Sequence, residues 1–460
     1  MATTTFDEAI AGTEVATGKH PKGLYVLFAT EMWERFSFYS MLAMFALYMR
    51  DTTGQGFAWS VDNTQALISN YLMFVYASPL VGGWIADKKI GYRKAVMIGG
   101  LFFMAGHLLL SIRSIGVVYA ALACLVVGNG FFKPNVSAMV GNLYSEGSHL
   151  KDRAYSIFYM GINVGAFLAP VVMEIVQSRF GYHPAFAVAA FGMLISVIIL
   201  WRLKKHIEMA DRPSSRGPKT TANTAAVAVD APPASVSHQN AIDAVPDWKR
   251  IGALIVIFLI VIVFWMVFHQ NSTTITYWAN DNTDWKVTGI ISNSINPMWV
   301  LLLTFPLVWF WGWLDKRGLE PSTPTKMVFG MVMTALAFFI LFIAAKMGEG
   351  SLAPGADPYA YKMSPVWLLG AYGVLTLGEL MLSPMGLSLV SKVAPIRMRG
   401  LMMGGWFVAT AMGNKLTQIG ELWDDWLHST FWIFLSACAI VMAVVLLFLL
   451  RPLKKAMPGV

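Results

Sequence analysis

The sequence predicts an all-α membrane protein of twelve transmembrane helices in two six-helix bundles. Three observations carry this expectation. The 460-residue chain is 56% hydrophobic and 13% charged, against about a quarter charged in soluble domains, and its mean hydropathy is +0.57. Mostly apolar runs recur along its whole length, each beyond the roughly 18 residues needed to cross about 30 Å of hydrocarbon. One long polar stretch then divides these runs into two sets of six. An outer-membrane barrel would show alternating segments of about ten residues instead.

In chain order, residues 1–23 form a polar tail without the basic-then-apolar order of a cleavable signal, so the first span is expected to direct insertion. Twelve spans follow at about 24–49, 63–86, 93–113, 116–143, 154–178, 184–203, 249–279, 287–314, 326–346, 364–391, 400–423 and 430–450. The bundles are thus 24–203 and 248–451, with a short tail at 452–460. The stretch between them, 204–247, is rich in Ala, Ser, Thr and Pro and has the composition of a flexible linker.

Charge orients the bundles. Apart from Arg212, Arg216 and Lys219 inside the linker, seventeen basic residues, from Lys88 to Arg399, fall in or beside the even-numbered loops, and six, from Arg50 to Lys362, fall in or beside the odd ones. The positive-inside rule then places both termini in the cytoplasm of a plasma-membrane protein. The net charge of +8 is therefore topology and gives no reason to expect a nucleic-acid partner. Cys124 and Cys438 lie in apolar runs without CxxC spacing, which suggests neither a disulfide framework nor a metal site. No cofactor is expected.

An internal echo supports two halves. GGWIADKKIGYRK (82–94) and WGWLDKRGLEPSTPTK (311–326) each run from Gly and aromatic residues to an Asp, then basic residues, then Gly. Asp87 and Asp315 occupy matching places, as a parallel repeat produces. Such loops either gate an inner mouth by remaking contacts or serve only as topology-determining charge.

The first span, TEMWERFSFYSMLAMFALYM (30–49), carries Glu31, Glu34 and Arg35 among aromatics. Ionised groups in a bilayer face a partner or water, and the i, i+4 spacing allows Glu31 and Arg35 to pair. A polar cavity or a charged helix end outside the membrane each accounts for this cluster. Lys133 lies deep in span four beside Pro134 and needs an anion unless it snorkels. Glu379 sits about fifteen residues from either end of span ten, so it protonates, pairs or lines a wet cavity.

With these features the chain resembles a major facilitator superfamily transporter. EMWERFSFY (31–39) resembles the ExxERFxYY signature of the proton-dependent oligopeptide transporter family. FFKPNVSAMVG (131–141), FYMGINVGAFLAP (158–170) and GELMLSPMGLSLVSKVAP (378–395) resemble its helix-four, helix-five and helix-ten segments. The resemblance implies proton-coupled import of di- and tripeptides by a monomer in the lipid bilayer. Arg35 and Lys133 would take the peptide carboxylate and Glu379 its amino group, with Tyr39, Tyr76, Asn163, Asn296, Ser383 and Trp406 lining the pocket. Glu31, Glu34, Arg35 and Lys133 would couple protons, and Asp87 and Asp315 would gate.

The chain departs from the pattern at Phe38, Ser40 and Leu42, and more consequentially at His269 within FWMVFHQNSTT (264–274), where such symporters carry Glu or Asp. A histidine titrates near pH 6.5 but is positive when protonated. It therefore joins the proton-coupling and substrate candidates and opens a second reading, symport of nitrate or another small anion. A packing role for His269 stays open too. A substrate sensor without transport is the third reading. HExxH, GxSxG and P-loop motifs are lacking, so no enzyme is expected.

Overall fold

The computed structural model describes residues 20–144, 150–211, 245–395 and 398–457. Most of the tail 1–23, most of the linker 204–247 and the end of the tail 452–460 lie outside these residues. Thirteen α-helices make up nearly all of what is described: α1 (Lys22–Arg50), α2 (Val61–Ile85), α3 (Tyr92–Leu110), α4 (Ile115–Asn142), α5 (Leu150–Phe180), α6 (Tyr182–Arg202), α7 (Asp247–Phe268), α8 (Thr274–Asp281), α9 (Ile295–Asp315), α10 (Thr323–Gly350), α11 (Pro365–Val393), α12 (Arg399–Leu416) and α13 (His428–Ala456). Among the described residues ten helical segments are long and apolar enough to cross a membrane, so this is a multi-pass helical membrane protein. Of the twelve expected spans, α1, with its three internal charges, and α12 are not among the ten.

The described residues cluster in two compact units. The first draws on Met1–Met41, Val75–Ala169 and His183–Asp230, the second on Leu42–Phe74, Pro170–Tyr182 and Ala231–Val460. Each unit holds a glycine-mediated helix crossing. In the first, α3 meets α4, where a Cβ on Gly99 would lie 2.7 Å from the Phe132 nitrogen and 2.8 Å from the Gly128 oxygen. In the second, α10 meets α11, where a Cβ on Gly330 would lie 2.9 Å from the Gly378 oxygen and one on Gly378 would lie 2.8 Å from the Gly330 oxygen. Small residues let membrane helices touch backbone to backbone, where dispersion replaces the hydrophobic effect.

Two expected spans are broken. The run 249–279 is not one helix, because α7 gives way at His269–Ser272 to a 3-10 turn before α8. The run 400–423 ends in another 3-10 turn, Thr417–Trp423. Gln270 bridges the two breaks: its Nε2 donates to the Thr417 oxygen at 3.0 Å and its Oε1 accepts from Thr274 at 2.9 Å. Irregular backbone at membrane depth needs such internal partners. Gln65 on α2 is fully buried nearby, since a Cβ on Gly420 would meet both Gln65 and Gln270. Among the described residues neither amide atom of Gln65 has a hydrogen-bond partner.

At the foot of the first unit, α2 runs through a π-helical turn, Ala86–Ile90, to Gly91 at φ 79°. Gly91 has no side chain to cap α3, and Asp211 does so from afar, accepting the Arg93 backbone N–H at 3.0 Å with its carboxylate 3.6 Å from Arg93 Nε. Residues 204–211, read from sequence as the start of the linker, form two 3-10 turns that bury Ile207 and Ala210.

Candidate functional site

The charge cluster of α1 is buried within the first unit, with Glu31, Glu34 and Arg35 exposed by 2, 0 and 4%. Arg35 donates from Nε and Nη2 to the two Glu34 oxygens at 2.5 and 2.6 Å. Glu31, the expected partner, is the secondary one: its Oε1 lies 3.4 Å from Arg35 Nε and its Oε2 has no hydrogen-bond partner among the described residues. Adjacent residues can pair here because the long guanidinium stem folds back onto its neighbour, and the two-pronged geometry favours arginine.

Three features hold α1 in place. Ser196 of α6 donates to the Thr30 oxygen at 2.7 Å, and Ser37 of α1 donates to the Ala189 oxygen at 2.6 Å. On the α5 side Gly165 lies directly under the cluster, where a Cβ would come 3.2 Å from the Arg35 Cβ. The segment FYMGINVGAFLAP thus presents Gly161 and Gly165 to α1, a small-xxx-small contact. Asn163, between them, turns its Nδ2 to the Tyr159 oxygen of its own helix at 3.0 Å.

Lys133 of α4 is half-buried, its ammonium 5.0 Å from the centre of the Tyr76 ring, within cation–π range. It shares an electrostatic cluster with Arg35, Glu31 and Glu34. Tyr39 is half-buried and packs edge-on against Phe38, whose ring lies 5.0 Å from the Arg35 guanidinium carbon.

In the second unit the structure joins two residues that the sequence named separately. Asn296 of α9 donates from Nδ2 to Glu379 Oε2 at 2.9 Å and to Thr376 Oγ1 at 3.0 Å. Thr376 in turn donates to the Tyr372 oxygen at 2.8 Å, which aims the Glu379 carboxyl group. Ser383 is half-buried one turn further along α11. Trp406 is 2% exposed, packed edge-on against Phe258 and against Gly386. His269 sits where α7 ends, half-buried and stacked on Trp265 with ring centres 4.9 Å apart.

The paired loop acids differ locally. Asp87 is half-buried in the π-helical turn, whereas Asp315 is exposed at the end of α9. In the second loop Lys326 pairs with Glu320 instead.

Sequence reasoning did not find a second charged network in the second unit. Arg50 lies 3.9 Å from Asp281 and 3.7 Å from Asp424, its guanidinium 4.3 Å over the Tyr277 ring. Glu174 of α5 accepts from the Thr288 backbone N–H at 2.8 Å and hydroxyl at 2.5 Å. Burial raises the Asp424 carboxyl above its ordinary range. Arg50 opposes that shift and the neighbouring Asp281, Asp62 and Asp425 add to it. Among the described residues no cluster of His, Cys, Asp and Glu has a metal-binding arrangement.

Membrane-length helices in glycine-mediated contact, together with buried ionisable groups held by hydrogen bonds, mark a polytopic membrane protein of the transporter class. The chain belongs to the POT family, which matches residues 93–231 and 218–421. It is 31% identical over 483 residues to the uncharacterized transporter YclF of Bacillus subtilis (strain 168), covering 96% of each chain. It is 30% identical over 501 residues to a di-/tripeptide transporter of Lactococcus lactis subsp. lactis (strain IL1403), covering 97% of this chain and 99% of that one. Among solved structures, peptide transporter POT in complex with sulfate matches with a TM-score of 0.81 at 28% identity, covering 96% of both chains.

Proposed function

We propose that this protein imports di- and tripeptides together with protons by alternating access. The observation that supports this reading best is the segregation of charge. Arg35 and Lys133 belong to the first unit, and the acid Glu379, aimed by Asn296, belongs to the second. Arg35 and Lys133 take the peptide carboxylate and Glu379 its amino group. Tyr39, Tyr76, Asn163, Ser383 and Trp406 contribute the remaining pocket surface. A relative named for di- and tripeptide transport, matched over nearly its whole length, supports the substrate class.

Protonation of Glu34 or Glu31 loosens the grip on Arg35 and frees it for the substrate, which links proton and peptide binding. The chain works as a monomer in the plasma membrane, with twelve spans in bundles 24–203 and 248–451, the linker 204–247 and both termini cytoplasmic. Asp87 and Asp315 act at the gate. Uptake of labelled di-alanine into proteoliposomes, with and without an imposed pH gradient, tests this reading. Uptake indifferent to the gradient refutes the coupling.

His269 favours one alternative, symport of nitrate or another small anion. An imidazole stacked on Trp265 offers an anion, whenever it carries a second proton, what a carboxylate there would refuse. Competition between di-alanine and nitrate for uptake separates the two.

A further inference from the structure

α2 contains a proline whose effect on the backbone is answered from another helix. In an α-helix the Val75 carbonyl would accept from the amide hydrogen four residues on, but that residue is Pro79, which has none. A carbonyl left open inside a bilayer is costly, because no lipid atom can donate to it. Asn129 of α4 supplies the missing donor, its Nδ2 lying 2.7 Å from the Val75 oxygen, and Ser78 adds its own hydroxyl at 3.1 Å.

Three details single out Asn129. It is 2% exposed, so the bond does not compete with water. Its Oδ1 has no hydrogen-bond partner among the described residues, so the polar contact it makes with them is this one donation. It also lies where α2 and α4 touch: a Cβ on the adjacent Gly130 would come 2.9 Å from the Ser78 oxygen. Asn129 is one helical turn from Lys133 on α4, as Val75 is next to Tyr76 on α2. The bond therefore sits one step from the Tyr76–Lys133 pair, whose ring-to-ammonium distance is 5.0 Å.

We infer that Asn129 is a positioning residue for transport: by filling the valence that Pro79 leaves open, it fixes the course of α2 against α4 and so sets Tyr76 against Lys133. This rests on the reading of Lys133 as an anchor of the peptide carboxylate. Without Asn129 the carbonyl has only Ser78, and α2 shifts to let water reach it, carrying Tyr76 away.

The test is a mutant cycle on the whole chain, N129L, P79A and P79A/N129L, read by di-alanine binding, by the KM and maximal rate of uptake, and by thermal melting in detergent. N129L is expected to bind di-alanine about tenfold more weakly, the loss of one buried hydrogen bond, with KM raised and the maximal rate retained. P79A restores the amide hydrogen within α2 and leaves Asn129 nothing to answer, so the double variant returns to the P79A values. A residue that merely fills space would leave the double variant as impaired as N129L, and that result overturns the inference. So does wild-type binding by N129L. Should N129L fail to insert, N129A, which removes the donor without adding bulk, takes its place. If the wild type takes up no di-alanine, the functional reading falls, while the melting cycle still decides whether Asn129 answers Pro79.

Discussion

Arg35 grips both oxygens of its neighbour Glu34 and touches Glu31 only at the longer distance of 3.4 Å. Glu34 is therefore the acid whose protonation changes most for Arg35. Glu34→Gln replaces a charge-assisted pair, with each bond to a charged group contributing about 1.5–3 kcal/mol. At least about a tenfold loss of gradient-driven peptide uptake is expected, with peptide exchange at equal pH retained. Wild-type accumulation by this variant would remove Glu34 from the coupling scheme.

Asn296 orients Glu379 by a single hydrogen bond. Asn296→Leu should raise the KM for di-alanine about tenfold, on the scale of one bond to a charged acceptor. N-acetylated di-alanine, which has no ammonium group to offer Glu379, should bind equally poorly to the variant and the wild type. An equal loss for both peptides would mean general damage to the second unit.

His269→Phe keeps an aromatic ring on Trp265 and removes the titratable nitrogens. If His269 carries a transported proton, gradient-driven uptake falls while exchange persists. If it only packs, both persist, which a paired flux assay distinguishes.

Backbone contact at Gly99 leaves no room to relax. Gly99→Val should lower stability by about 1–3 kcal/mol through overpacking, seen as a lower melting temperature in detergent. Gly252→Ala, where an added Cβ meets nothing within 4 Å, is the matched control and should melt like the wild type.

Asp424 gives a pH dependence with a definite sign. Its carboxyl is raised chiefly by burial, so the native protein holds that proton more firmly than the unfolded chain does. The resulting stability is fully present below the ordinary carboxylate range and is lost as pH rises through the raised value. Asp424→Asn should flatten this part of the melting-temperature profile on the acid side of neutrality. A profile unchanged from the wild type would show that Arg50 governs the carboxylate after all.

Much of the site was legible because charge inside a bilayer is rare and stands out. Glu34, Arg35, Lys133 and Glu379 announce themselves against apolar neighbours. Less visible was what holds them. The i, i+4 rule favoured Glu31 for Arg35, and only side-chain packing decides for the adjacent Glu34. The break at His269–Ser272 was masked by continuous hydrophobicity, although the polar run HQNSTT (269–274) marked it. The glycine crossings also had a signal: Gly128 precedes Pro134 by six residues, as Gly378 precedes Pro384, in GNGFFKP and GELMLSP. That echo is fainter than the loop echo because it preserves backbone requirements and not side-chain chemistry. Asp211 left none, since a cap from 118 residues away has no local pattern.

Gln65 is a weak point in the packing of the second unit. Its carboxamide has no hydrogen-bond partner among the described residues where it meets the turn Thr417–Trp423, while Arg50 and Glu174 fasten the same unit with charge. A buried amide without a protein partner makes this contact easier to open than one whose polar groups are all paired.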